Sequence, residues 1–153
     1  LDHWNISPVS NTGMCLAITS QPNSQRAFGV LYDARQQRMY LTLTRDHVGS
    51  VKQDDIRPMD VAFFEQLGAD SKTIGGLNFT VSKHGESTAT FFSDAIAPNQ
   101  IELLAKSVGI VFATGDRIVA SFDLHESAVA VAMLKHCATV AAGQDPADPF
   151  VGQ

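Results

Sequence analysis

The sequence predicts an α+β fold: an antiparallel β-sheet, or a partly closed barrel or sandwich, with a C-terminal helix packed on it. Three observations predict it. Short segments of alternating apolar and polar residues, separated by turn residues, fill the first two-thirds of the chain. A strong hairpin pattern occupies 109–124, and an amphipathic segment follows it. Together these segments indicate about seven to nine strands.

The first third of the chain contains four predicted strands. They lie at 3–6, 14–19, 27–32 and 38–44. Their β-branched and aromatic residues alternate with a period of two, which is typical of half-buried strands. The first is expected to end before Ser7 and Pro8. Only five residues, 33–37, separate the third from the fourth, which predicts a hairpin over 27–44.

The middle of the chain has weaker strand signals. We interpret the polar segment 45–58 as a long loop or a poorly ordered edge, and 60–64 as a strand or the start of a short helix. The Gly-Gly pair at 75–76 is expected to separate elements. The segments 77–82 and 87–93 flank a short polar turn and predict a second hairpin.

The last third combines helices with one hairpin. Asn99 lies three residues before Glu102, a spacing typical of a capping box, and this predicts a short helix. The segments 109–114 and 117–124 flank Gly-Asp and give the clearest hairpin signal of the chain. A final amphipathic helix is expected over about 127–142.

We expect one β-rich domain that spans 1–143 and includes the C-terminal helix. A chain of 153 residues has the length of a single domain and can bury a sizeable core. Residues 144–153 contain two Asp-Pro steps and no apolar periodicity. They are therefore expected to form an extended or mobile tail.

Composition disfavours several classes of protein. An apolar fraction of 44% is that of a globular protein and argues against disorder. The net charge is −5, and the 11 lysines and arginines are scattered along the sequence. This disfavours a nucleic-acid or anionic-membrane surface, because both need a basic patch. No apolar run approaches the roughly 18 residues of a membrane span.

The positions of the two cysteines predict that they meet. On a helical wheel the last helix places Cys137 in its apolar stripe, with Ala130, Leu134 and Ala141, flanked by Met133 and Ser127. Cys15 shares the small-residue face of the second strand with Ala17, and a helix needs small residues beneath it to approach closely. Cys15 and Cys137 can therefore come together if the helix lies across this strand.

We predict a Cys15–Cys137 disulfide in an exported protein. The alternative is two buried free cysteines that act as small apolar residues, which is common in cytosolic proteins. The chain begins at Leu1 rather than Met. Either a signal peptide has been removed or the chain has been shortened, and removal of a signal peptide agrees better with a disulfide.

The sequence offers no strong catalytic, cofactor or metal motif. His136 lies on the side of the helix opposite Cys137, which disfavours a Cys-His catalytic pair. No G-x-S-x-G elbow is present, and a Ser-His-Asp group would have to be assembled in space. The five histidines lack ligand spacing and are expected to be solvated surface residues. They are His3, His47, His84, His125 and His136. No cofactor is expected.

Both ends of the chain resemble a group of exported proteins. The C-terminal residues that carry the likeness are Phe122, Leu124, Ser127, Ala128, Ala130, Leu134 and Cys137. This run is similar to the F-x-L-x-G-S-A-x-A-L-x-x-L-x-x-C ending of small proteobacterial proteins related to the invasion-associated locus B family, although Glu126 replaces the glycine. Trp4, the strand carrying Cys15 and the Asp-Pro-Phe at 148–150 also match that layout. The resemblance implies a β-rich, exported protein and supplies no catalytic or binding residue.

We therefore expect a non-enzymatic periplasmic or secreted module that binds a protein, an envelope component or a small ligand. One alternative is a small hydrolase whose site is built from loops around 45–57. Another is an inhibitor or immunity protein that presents Asp54 and Asp55 to a basic enzyme cleft. The sequence does not determine the ligand or the oligomeric state.

Overall fold

The computed structural model describes residues 1–65, 71–145 and 147–150. Within these residues the chain forms nine strands, a short 3-10 helix and two α-helices. The strands are β1 (Asn5–Val9), β2 (Met14–Ser20), β3 (Ala27–Asp33), β4 (Arg38–Arg45), β5 (Ile56–Phe64), β6 (Ser71–Lys83), β7 (Ala89–Ser93), β8 (Gly109–Thr114) and β9 (Arg117–Asp123). The 3-10 helix (Pro98–Gln100) leads into α1 (Ile101–Lys106), and α2 is Ser127–Ala141.

All nine strands belong to one antiparallel sheet, which confirms the predicted α+β class. The strand order is β1-β2-β3-β4-β7-β6-β5-β8-β9, so β1 and β9 are the two edges and the sheet is not closed. The β3–β4, β6–β7 and β8–β9 hairpins form as predicted. Within the described residues, neither α-helix is long and apolar enough to cross a membrane.

The predictions for β1 and β5 were wrong at residues that disfavour strands. Pro8 and the residue before it continue β1, where Pro8 lies opposite Cys15. Proline is tolerated there because β1 is an edge strand, which within the described residues pairs with β2 alone. Likewise Ile56–Pro58, expected in a polar loop, begin β5. Of the two alternatives for 60–64, the strand is confirmed.

The Gly-Gly pair does not separate two elements but forms a bulge inside β6. Gly75 and Gly76 together oppose the single residue Asp60 of β5, where the register shifts. Gly76 has a φ of +61°, a conformation that glycine adopts without strain, and its N–H donates to Asp60 Oδ1 at 2.7 Å. The bulge lets β6 continue past the two glycines, so the strand is longer than predicted.

An aromatic cluster forms the centre of the core. The Phe28 ring lies 5.8 Å from the Phe112 ring and 6.1 Å from the Phe122 ring, measured between centroids. Trp4 packs edge-on against Phe28 at 6.2 Å, and Phe79 against Phe112 at 6.1 Å. Such contacts are favourable beyond the area they bury. The cluster joins residues near the start of the chain to β6, β8 and β9.

Helix α2 packs on β1 and β2 and also on α1. Its buried residues are Ser127, Ala130, Val131, Leu134 and Ala138. Met133, expected beside the buried stripe, is exposed, because contact with α1 turns the buried face toward Val131 and Ala138. The expected capping box of α1 does not form either, since the N-cap is Gln100 and no side chain caps it.

The structure brings Cys15 and Cys137 to disulfide distance. Their sulfur atoms are 2.05 Å apart and their Cα atoms 6.1 Å apart. Cys15 is fully buried on the small-residue face of β2, beside Ala17, as the sequence predicted. The pair joins α2 to β2 across 122 residues of sequence.

The described residues beyond α2 form turns. The N–H of Asp148 donates to the carbonyl oxygen of Asp145, and that of Ala147 to the Asp145 carboxylate. Position 146 and positions 151–153 of the predicted tail lie outside the described residues.

Replacing both cysteines, Cys15→Ala with Cys137→Ala, is expected to lower the free energy of unfolding by about 2–5 kcal/mol. The reason is that the cross-link restricts the unfolded chain over a long loop. Urea unfolding measures the loss, and wild-type protein in reductant should unfold close to the variant. Two titratable thiols in denatured, unreduced wild-type protein would contradict the bond.

Glu126→Gly is expected to stabilise the protein by roughly 1 kcal/mol. Glu126 precedes α2 with a φ of +56°, a left-handed conformation that a side chain disfavours and glycine accepts. The matched control is Glu126→Gln, which removes the charge and keeps the conformation. Thermal or urea unfolding should show a gain for the glycine variant alone, and an equal gain for glutamine would show that charge is responsible.

Candidate functional site

Among the described residues, no strand lies beside the outer edge of β9, and side chains from the first third of the chain reach it instead. Three of them donate to backbone carbonyl oxygens of β9 or of the residue that follows Leu124. The pairs are Trp4 Nε1 with His125 O at 2.7 Å, Gln21 Nε2 with Ser121 O, and Arg45 Nη1 with Val119 O at 2.7 Å. We call the gap that these bonds span the seam. Two pockets lie along it.

The larger pocket, which we call the arginine groove, has a volume of about 840 Å³. Its walls come from the loop after β4, the start of β5, β7 and the β8–β9 hairpin. The basic lining residues are Arg45, Arg57, Arg117 and His47. The apolar ones are Val48, Val51, Pro58, Met59, Phe91, Ile118 and Val119. Among the described residues that line it, none is acidic.

Arg45 carries a charge that the protein only partly compensates. Burial, and secondly the nearby Arg26 guanidinium, lower the pKa of Arg45, while Asp46 acts in the opposite direction. Its Nε atom is buried and has no hydrogen-bond partner among the described residues. Arginine stays protonated at neutral pH, so the lowered pKa marks a guanidinium that an added anion would stabilise.

The other two arginines differ in how far they are neutralised. Arg57 Nη2 lies 3.1 Å from Asp55 Oδ2, so one carboxylate outside the lining already balances part of its charge. Arg117 starts β9 directly after the turn at Gly115, and no described carboxylate lies within ion-pair distance of it. The groove can thus accept a ligand with more than one negative charge.

The two acidic residues proposed for an inhibitor are used within their own loop. The Asp55 carboxylate accepts from the backbone N–H of Lys52 at 2.9 Å and from Arg57. The first of these bonds, then the second, holds the pKa of Asp55 below its usual value. Asp54 has a φ of +67°, and its side chain accepts from Gln53. The Asp55 carboxylate therefore stabilises the loop.

The smaller pocket, of about 440 Å³, lies toward the other end of the seam. It brings together the residue types of a hydrolase, since Ser20, Ser121, Asp123 and two histidines line it. The rings of His3 and His125 lie 4.7 Å apart between centroids. In the part of the chain that the structure describes, neither histidine is hydrogen-bonded to a serine hydroxyl, which a Ser-His pair requires.

One histidine, His84, does contact a hydroxyl group, but that hydroxyl lies within the sheet rather than in a pocket. His84 Nε2 lies 2.5 Å from Thr90 Oγ1, which also contacts Thr44 Oγ1 at 2.8 Å. Thr90 is only 8% exposed, so this chain of hydrogen bonds joins β4 to β7 rather than presenting a nucleophile. Across residues 1–65, 71–145 and 147–150, no three His, Cys, Asp or Glu side chains form a set that could hold a metal ion.

The arginine groove is not evident from the sequence. A loop-built site around 45–57 is one alternative that the sequence allows, but the lysines and arginines are scattered along the chain. Arg45, Arg57 and Arg117 lie on β4, β5 and β9, and these strands surround one opening because β4 contacts β9 across the seam. One available signal was that Arg45 and Arg117 each stand at the end of a clearly predicted strand, beside a polar segment.

Comparison of this chain with protein-family models, with curated proteins and with solved structures gives no match. The functional argument therefore depends on the geometry of the seam and its pockets.

The two lowered carboxylate pKa values predict how acid affects stability. Hydrogen bonding to Arg26 lowers the pKa of Asp46, as the contacts with Lys52 and Arg57 do for Asp55. A group with a lowered folded pKa stabilises the protein above its unfolded pKa, about 4, and loses this effect as pH falls through the folded value. At neutral pH the wild-type protein should therefore have a higher free energy of unfolding than a double variant that carries both Asp46→Asn and Asp55→Asn.

This difference should disappear in strong acid, at about pH 2, where both carboxylates are protonated. Urea unfolding of both proteins across the acid range measures it. A difference that persists unchanged at low pH would show that it comes from the shape of the amide rather than from charge.

Proposed function

We propose that this protein is a non-enzymatic binding module of an oxidising compartment, the periplasm or the exterior of the cell, and that the arginine groove holds an anionic ligand. The observation that carries the proposal is the gathering of three guanidinium groups around one opening without a lining carboxylate. The protein as a whole is acidic, with a net charge of −5. A local excess of positive charge in such a chain is typical of an anion site.

The partners of the three arginines support binding. Arg45 uses Nη1 to close the seam and leaves its buried Nε without a partner in the described chain. An oxyanion near this atom would supply the missing acceptor. Charge-assisted bonds of this kind are about twice as strong as neutral ones, and guanidinium groups pair well with carboxylates and phosphates.

The chemistry of the groove supports binding over hydrolysis. Its titratable lining residues are arginines, which do not act as bases at neutral pH, and His47, whose side chain is 81% exposed. A hydrolase would instead benefit from a nucleophile in contact with an oriented base. The engaged Asp55 carboxylate gives less support to the inhibitor alternative than to a role in shaping the loop beside the groove.

The compartment is inferred from the cysteine pair and from the resemblance of both chain ends to exported proteobacterial proteins. Disulfides persist in oxidising compartments and are rare in the cytosol. The pair at 2.05 Å uses both cysteines of the chain, so no thiol is left over for redox chemistry.

Titration with pyrophosphate and with citrate at low salt, followed by amide NMR, tests the proposal. The amide signals of groove residues should shift in a saturable way, and added salt should weaken the binding. Arg117→Gln and Arg45→Gln are each expected to weaken it by about tenfold, because each removes a charge-assisted bond.

The matched control is Arg38→Gln. Arg38 is exposed at the opposite end of β4 from Arg45, and its guanidinium donates to the nearby Gln36 side chain. This variant removes the same charge and should bind as the wild type does. The proposal fails if neither anion shifts groove amides, or if Arg38→Gln weakens binding as much as Arg117→Gln.

A further inference from the structure

We infer that the ligand of the arginine groove is an extended acidic peptide that pairs, as a short added strand, with residues Ile56–Met59 of β5. This inference rests on the proposed function, since it names the class of anion that the groove binds. Three features of the groove lead to it: a free strand edge, basic groups on separate strands, and exposed apolar side chains beside them.

The free edge comes from the unequal lengths of β5 and β8. β5 pairs with β6 from Ile56 onward, but its pairing with β8 begins only at Asp60. Ile56–Met59 therefore have a strand on one side and, in the described part of the chain, none on the other. A free edge of this kind offers backbone groups to an extended peptide.

Pro58 is consistent with this position. A proline inside a strand has no N–H to donate, so it is found mainly where one side of the strand is unpaired. Pro58 lines the groove, and on its paired side it lies opposite Asn78. The carbonyl oxygen of Asn78 accepts from Asp94 on the β7 side of β6, so the backbone of Pro58 faces the free edge rather than β6. An added peptide would use the carbonyl oxygen of Pro58 and the carbonyl and N–H groups of Ile56, because Arg57 and Met59 turn theirs toward β6.

The basic groups are spread out in a way that suits a chain better than a single anion. Arg57 lies on the free edge itself, Arg117 at the end of the β8–β9 hairpin, and Arg45 on β4 across the opening. Alternate residues of an extended peptide point to the same side and lie about 7 Å apart. Successive acidic side chains could thus reach different guanidinium groups.

Apolar side chains at the opening fit the other residues of such a peptide. Ile118 is 69% exposed in the groove wall. Ile56, at the start of the free edge, is 65% exposed and lies on the face of β5 opposite Arg57 and Met59. Met59 and Val51 form a buried apolar floor. A peptide that alternates acidic and apolar residues would turn its acidic side chains toward the arginines of the groove and its apolar side chains toward the face that carries Ile56, whereas a small anion would meet only the arginines.

The rest of the seam limits the length of the added strand. β9 is interrupted by a bulge at Val119, and its carbonyl oxygens at Val119 and Ser121 already accept from Arg45 and Gln21. The β9 edge is therefore closed to pairing beyond the groove. The peptide is expected to pair over about four residues, the span of Ile56–Met59, with charged residues on either side.

The test uses a blocked seven-residue peptide in which glutamate alternates with valine, measured by amide NMR and calorimetry at low salt. Two N-methylated versions of the peptide are compared, in which methyl groups replace the backbone N–H hydrogens along one edge of the extended peptide or along the other. Suberate serves as a dicarboxylate without a peptide backbone, and a lysine-for-glutamate peptide controls for charge. Arg57→Gln is compared with Arg38→Gln as the matched protein variant.

We expect the glutamate peptide to shift the amides of residues 56–59 and to bind at least tenfold more tightly than suberate. Methylation of one edge, and not of the other, should weaken binding by about tenfold, the loss of one or two backbone hydrogen bonds. Arg57→Gln should weaken binding, and Arg38→Gln should not.

The remaining outcomes separate this inference from the proposed function. If suberate binds the groove as tightly as the peptide, or if neither methylated peptide loses affinity, strand addition is wrong and anion binding stands. If neither suberate, pyrophosphate nor the glutamate peptide shifts groove amides, the proposed function is wrong as well. Equal binding of the lysine peptide would also overturn both.

Discussion

The unpaired edge of β9 is the constraint on which the rest of the architecture depends. A buried or partly buried backbone carbonyl without a donor is costly, and in the part of the chain that the structure describes no strand lies on the outer side of β9 to supply one. The chain meets this demand with Trp4, Gln21 and Arg45, each more than seventy residues away in sequence. Because these side chains lie beside β1, β2 and β4, their bonds hold the two ends of the open sheet together around the aromatic cluster.

The cysteine pair also connects the two ends of the chain, through helix α2. It fixes α2 on β2, and α2 also packs on β1, the other edge strand. The residue after β9 that accepts from Trp4 lies two positions before α2 begins, so the helix and the seam are adjacent parts of one arrangement. The start and the end of the chain are therefore joined twice, by the hydrogen bonds across the seam and by the Cys15–Cys137 pair between β2 and α2.

The candidate site is a consequence of incomplete closure. Where the sheet fails to close, side chains replace a strand, and the arginine that serves this purpose cannot satisfy all of its donors by doing so. The same opening exposes the part of β5 that β8 does not reach and the apolar end of the β8–β9 hairpin. Charge, free backbone and apolar surface thus coincide because one structural defect produces all three.

The sequence by itself determined the local elements and one long-range contact. The period of two in 38–44, the Gly-Asp turn before Arg117 and the small-residue face around Cys15 each depend on neighbours along the chain, so each could be predicted. Whether Pro8, Pro58 and the Gly75-Gly76 bulge interrupt a strand depends instead on what lies beside that strand, which only the tertiary structure decides. The arginine groove belongs wholly to this second class, since the three arginines line one opening only because β4 and β9, which are far apart in the strand order, come together across the seam.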